Sequence, residues 1–234
     1  GIVPVRQLLE ITGRKVPAAT GLALKLRGPS DGAKDQPAES QGGVDLILRT
    51  LQESRGPVSL ATVGSLRDVA AAYNRDRDFF ASKTASIFAF IGDAHSAPGF
   101  AFREYNVTLD VSAFQCILES GLPVFWVPCF DGGAWKNGGR ASFWRASHRD
   151  LLAGVSDPLK QYFIYALLRK TEGDPLAILR RKVDPGEWEA VLSLERNLWC
   201  CAVFTAISGR RIVKDSGTWR SVPRGAAATQ PTNR

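Results

Sequence analysis

The 234-residue chain contains no methionine, two histidines and four cysteines, and it has no long uninterrupted apolar run. Each shortage closes a class of explanation. A membrane helix needs about 18–20 apolar residues in a row, so no such span is expected, and no charged segment leads into an apolar one as in a signal peptide. With His95 and His148 the sole histidines, and Cys116, Cys129, Cys200 and Cys201 at no zinc-ligand spacing, a Cys/His metal site is not expected. The adjacent Cys200 and Cys201 lie in an apolar run and read as buried thiols. A chain that starts at Gly1 without any methionine is expected to lack its true amino terminus. The compartment therefore stays open, with the cytoplasm as the default.

Charge is not scarce, but it points nowhere in particular. The net charge of +7 allows a polyanionic partner. The basic residues are scattered, with clusters at 180–182 and 210–211, the first expected to face the acidic stretch 184–189. A solvated surface is the reading adopted, with no nucleic acid and no membrane as partner. A basic nucleic-acid-binding module stays as a lesser alternative. The 44% hydrophobic content is that of a globular protein with one sizeable core.

Apolar patterning then sets an order of elements. Residues 2–11 read as a short strand running into a helix start, and 28–43, rich in Gly, Pro and Ser, as a surface loop. A helical stripe (Val44, Ile47, Leu48, Leu51) is followed by a strand at 58–63, helical stretches at 66–73 and 76–80, and a strand at 87–91. A helix at 114–120 ends at Gly121, and 122–129 is an apolar strand. Alternation at this pace predicts an α/β fold with a mainly parallel sheet flanked by helices, followed by a helical C-terminal part at 158–170 and 187–198. One domain is expected over 1–220, with 221–234 a disordered tail. Ligands of such sheets sit beyond the carboxyl ends of the strands. The glycine-rich 131–139 stretch beyond the third strand reads as a loop that can cover such a site.

Glu104 and Asn106 are the leading site candidates. In a strand-like reading of 104–110, residues two apart share a face, which puts a carboxylate and a carboxamide together, a pair suited to sugar hydroxyls. Two solvated groups on an exposed strand end are the competing reading.

The ordered set 56–70, 86–94, 104–110 and 112–128 resembles the inosine-uridine-preferring nucleoside hydrolase family. The likeness covers 44–128 well, the first forty residues loosely and the last hundred hardly. It implies a ribonucleoside or related small ribosyl compound as ligand, cleavage of its N-glycosidic bond when the protein is complete, and a bound calcium. Glu104 and Asn106 would hold ribose hydroxyls, and the Val63 backbone carbonyl would contribute to the calcium. The family's first aspartate cluster is expected upstream of Gly1. Its later His-Asp pair would fall near 196–199, where Asn197 stands in place of the aspartate. A relative that binds without turnover is the alternative, and homo-oligomerisation is left open.

Other residues carry weaker expectations. Trp126, Trp135 and Trp144 offer faces for a base, with core packing as the competing reading for Trp126. Asp93 either enters the cleft or caps a turn. His148 and Asp131 form a fallback acid and base, although a packing role suits His148 better. Arg67-Asp68 stands where the resemblance implies Thr-Asn.

Overall fold

A computed structural model describes residues 1–95, 101, 103–199 and 201–225. Its first helix, α1 (Ile2–Thr12), takes the place of the short strand and helix start expected at 2–11. Pro4 falls in the first turn, where N–H groups have no intrahelical acceptor, so the missing donor costs nothing. A long connection leads to α2 (Gly42–Glu53), then β1 (Val58–Thr62), α3 (Arg67–Arg75), α4 (Arg77–Lys83) and β2 (Thr84–Phe90). Next come α5 (Tyr105–Leu109), α6 (Val111–Leu118) and β3 (Val124–Val127). The three strands pair in parallel in the order β1-β2-β3. The expected α/β plan with a parallel sheet is thus present. Helices α2, α3 and α6 pack side by side, and their apolar stripes meet the sheet around Leu51, Leu66, Phe80, Ile87, Ile91 and Ile117, all buried. Gly121, at φ 73°, makes the turn into β3, a conformation that costs glycine least.

The C-terminal part is mainly helical, as expected, with two short antiparallel strand pairs added. It comprises β4 (Trp144–Ser147), α7 (His148–Leu152), α8 (Asp157–Leu167), α9 (Pro175–Ile178), α10 (Pro185–Leu192), β5 (Glu195–Leu198), α11 (Cys201–Ile207), β6 (Arg210–Asp215) and β7 (Thr218–Pro223). The helix expected over 187–198 stops at Leu192, and Glu195–Leu198 becomes a strand because it pairs antiparallel with β4. Leu152, Ile164 and Val191 form a second small core. Helix α1 packs against α8 and α9, and the buried Gln7 donates to the Pro175 carbonyl at 2.9 Å. Strand β7 runs through the expected boundary at 220/221, while 226–234 lie outside the described residues.

Two smaller expectations also change. Arg180 pairs with Glu10 rather than with the 184–189 acids, of which Glu187 pairs with Lys170 and Glu189 with Arg149. Cys201 is exposed, not a core thiol, and Cys200 lies outside the described residues. Among the described residues no helix is long and apolar enough to cross a membrane.

Candidate functional site

The stretch 104–110 is not a strand. Glu104 is extended and caps α5, which begins at Tyr105. Its Oε1 accepts from the Asn106 N–H at 2.9 Å, and its Oε2 from Val107 N–H at 3.3 Å and from Gly92 N–H at 3.0 Å. The carboxylate, 4% exposed, therefore ties the end of β2 to the start of α5. Face alternation does not apply in a helix, yet Glu104 and Asn106 still come together. Both line a cavity of about 580 Å³ with Val63, Phe90, Phe130, Trp135 and Trp199 among its other residues. Val63, Phe90 and Phe130 lie at or just past the carboxyl ends of β1, β2 and β3, the position parallel-sheet topology favours. Among the described residues the Asn106 carboxamide has no protein partner, which leaves its donor and acceptor for a ligand.

Helix α5 is held at its far end by a second acid. Asp110 caps α6 through the Ala113 N–H and also accepts from the Leu26 N–H at 2.8 Å. Its Oδ2 lies 2.9 Å from Arg67 Nε, and the Asp110 side chain is 1% exposed. Arg67 further donates to the carbonyls of Leu22, Ala23 and Leu109. The neighbouring Asp68 accepts from the Leu22 N–H at 2.9 Å, and desolvation raises its carboxyl above the usual range despite that bond. A Cβ on Gly43 would come 2.7 Å from Asp68 Oδ1, so the close approach requires glycine. Arg67 and Asp68 thus strap the segment around 22–26 beside α5.

Of the aromatic lining residues, Phe130 and Trp135 come from the loop beyond β3, and Trp199 directly follows β5. Phe130 meets Trp135, Phe143 and Trp199 edge-on at 5.5, 5.8 and 6.2 Å between ring centroids, and Trp135 lies 5.8 Å from Trp199. Trp135 is 56% exposed and lines the cavity. Trp126 is not part of this lining: its indole N–H donates to the Ile91 carbonyl at 2.6 Å across Gly92. The side chain of Trp144 lies outside the described residues.

The remaining acids at the strand ends are engaged. Asp93 caps a turn, accepting from the N–H groups of His95, Gly132 and Gly133 at 2.8, 3.0 and 2.8 Å. Desolvation acts to raise its carboxyl, but the backbone donors outweigh it and hold the group below its ordinary range. Asp131, 5% exposed, takes both Nε and an Nη of Arg140 at 3.2 and 3.1 Å. His148 is fully buried elsewhere, between the Val191 carbonyl on Nδ1 and Arg196 Nε on Nε2. The fallback pair of His148 and Asp131 is therefore not assembled.

Asn197 lies on β5, with its Oδ1 accepting from Arg145 Nε at 3.1 Å, and it is not among the cavity residues. Calcium takes six to eight oxygen ligands, carboxylates foremost. Here the nearby carboxylates are each committed to backbone N–H groups or to Arg140, and among the described residues no cluster of three or more His, Cys, Asp or Glu side chains could hold a metal. The residues described do not by themselves fit the ion.

A sequence model of the inosine-uridine preferring nucleoside hydrolases matches residues 2–171, more than half of the chain. The chain belongs to this family. The nucleoside hydrolase resemblance of the central segment thus extends to the amino-terminal helix and into the C-terminal helices. An uncharacterized protein of Schizosaccharomyces pombe is 29% identical over 97 residues, a match that covers 38% of this chain and 30% of that protein. The chain thus spans under a third of that relative in the match. Among solved structures, a plant nucleoside hydrolase superposes with a TM-score of 0.45 at 17% identity, covering 99% of this chain and 76% of its own. A purine-preferring ribonucleoside hydrolase from Gardnerella vaginalis gives a TM-score of 0.38 at 17% identity, over 78% of this chain and 54% of its own.

Composition and periodicity missed Phe130 and Trp199 as lining residues and Arg67 as a strap. The aromatic spacing around 130–143 was a usable signal. Nothing local links Trp199 to it, since the contact forms only when β5 pairs with β4.

Proposed function

We propose that the cavity at the sheet's carboxyl edge binds a ribonucleoside, and that the whole protein hydrolyses its N-glycosidic bond. The observation that carries this reading is the shared cavity: a sugar-compatible Glu104–Asn106 cap and an aromatic wall of Phe130, Trp135 and Trp199. A volume of about 580 Å³ lies in the range of small-molecule pockets. Asn106 donates to and accepts from ribose hydroxyls. Glu104 spends three of its roughly four acceptor positions on the backbone, leaving one for a hydroxyl. The base lies against Trp135, since every base has a π-face that an indole can cover.

In this reaction the residues of this chain bind and orient the ribose and the base about a bond whose hydrolysis passes through an oxocarbenium-like state, one water adding at the sugar carbon as the base leaves with a proton. Calcium, the family's expected cofactor, has no step assigned to it because the described donor set does not match its needs. A ribosyl-binding relative without turnover is the second reading. It is favoured by the engagement of Asp93 with the Gly132 and Gly133 N–H groups and of Asp131 with Arg140.

Calorimetry with inosine and uridine, followed by chromatography for free base, tests both readings. Binding with release at rates typical of enzymes, roughly 1–10³ per second, supports hydrolysis. Binding without release supports the second reading, and absence of both overturns the site.

A further inference from the structure

Asp93 and Asp131 follow the second and third strands of the parallel sheet, where chemistry in such folds usually resides, yet their oxygens face the protein. Both act on one loop. Asp93 accepts from the N–H groups of Gly132 and Gly133, residues with φ of 106° and 108°. This is a backbone form that side-chain-bearing residues resist. Asp131 closes the other end of the loop: its Oδ2 accepts from the Arg140 N–H at 3.1 Å and its carboxylate takes that residue's guanidinium. Between these clasps the Lys136 N–H donates to the Gly133 carbonyl at 3.1 Å and the Asp131 N–H to the Lys136 carbonyl at 3.0 Å. Trp135, itself at φ 64°, is carried on the resulting tight turn into the cavity lining. The clasps add to these turn bonds and to the ring contacts of Trp135 in selecting one conformation from the many open to a glycine-rich segment.

Resting on the ribonucleoside reading, we infer that Asp93 is a positioning residue for base recognition: it holds the 131–139 loop so that Trp135 presents a preformed stacking face to a planar base. The contribution is one of preorganisation, in which the ordering cost of the loop is met before the ligand arrives. Asp93 touches no ligand itself. Its effect is therefore confined to the base half of a nucleoside and passes through Trp135.

The test compares inosine with methyl β-D-riboside, which has the sugar and no base, in the wild type, Asp93→Asn, Trp135→Ala and the double variant. Asp93→Asn is expected to weaken inosine about tenfold, within the range that loss of base stacking on an aromatic ring spans, and to leave the riboside unchanged. In the Trp135→Ala background, Asp93→Asn should add nothing, since two residues acting through one contact are not additive. The exciton couplet of the Trp135–Trp199 pair in far-ultraviolet circular dichroism should collapse in Asp93→Asn without any ligand present. Gly132→Ala, which strains the same turn and leaves the carboxylate intact, should copy these effects. Equal losses for inosine and riboside, additive losses with Trp135→Ala, or unchanged inosine binding would each overturn the inference. A wild type that binds neither probe overturns the ribonucleoside reading instead, and the couplet then still reports whether Asp93 holds Trp135.

Discussion

Replacing Glu104 by alanine separates architecture from ligand binding at the cavity. The substitution removes the N-cap of α5, worth about 1 kcal/mol. It also leaves the Gly92 N–H, which crosses from the end of β2 at 3.0 Å, without its acceptor in a buried place, at about 1–3 kcal/mol. The expected loss is thus about 2–4 kcal/mol of folding stability. For a chain of this size each kcal/mol moves the unfolding midpoint by about 2–4 °C, so Tm should fall by about 4–16 °C. Asn106→Ala supplies the contrast. Its side chain has no protein partner among the described residues, so Tm should move little, while inosine affinity drops by about 1–3 kcal/mol. Thermal unfolding by circular dichroism reads the first effect and calorimetry the second. A Glu104→Ala protein that melts within about 2 °C of wild type would refute the cap-and-tie role and return Glu104 to a ligand-facing one.

Arg67→Met should cost about 3–5 kcal/mol in urea unfolding, because it strands the carboxylate of Asp110, which is 1% exposed. The double variant Arg67→Met/Asp110→Asn should recover part of that loss; equal costs would show that the charge pairing is not the cause. Calorimetric titration of the 234-residue chain with calcium should give no submicromolar binding, because the visible carboxylates are engaged. Tight binding would mean that Asp93 or Asp131 gives up its backbone partners. Burial lowers the pKa of His148 below its ordinary 6.5, with Arg196 acting the same way and the Val191 carbonyl opposing. The folded state therefore prefers the neutral ring, so its stabilising contribution is full above about 6.5 and is lost as pH falls through the lower folded value. Urea midpoints from about pH 8 to about pH 5 should fall more in wild type than in His148→Gln, and parallel curves would contradict the linkage.

The sequence by itself determined the parallel core and which edge carries the carboxyl ends of its strands. Short apolar runs at 58–63, 87–91 and 122–129, separated by helical stripes, admit few topologies once strands must be parallel and connections short. Those runs place Val63, Asp93 and Phe130 at one end of the sheet. Glu104 and Asn106 were legible as a pair, but for a reason that does not hold. A five-residue helix is too short for periodicity to separate from a strand, and glutamate is not a favoured cap. The Glu104 carboxylate caps through the Asn106 and Val107 N–H groups and is tied to β2 by the Gly92 N–H, twelve residues away in sequence.

Tertiary structure alone decided the remainder, because the deciding partners are remote. Glu195–Leu198 is a strand since β4 offers it an edge, and that pairing is followed directly by Trp199, which joins the cavity lining. Helix α1 owes its place to α8 and α9, where the Pro175 carbonyl meets Gln7. Asp93 and Asp131 could have faced a ligand on any local criterion; the glycine turn and Arg140 took their oxygens first. A buried carboxylate goes to whichever donors the fold brings within reach, and a sequence does not state which donors those are.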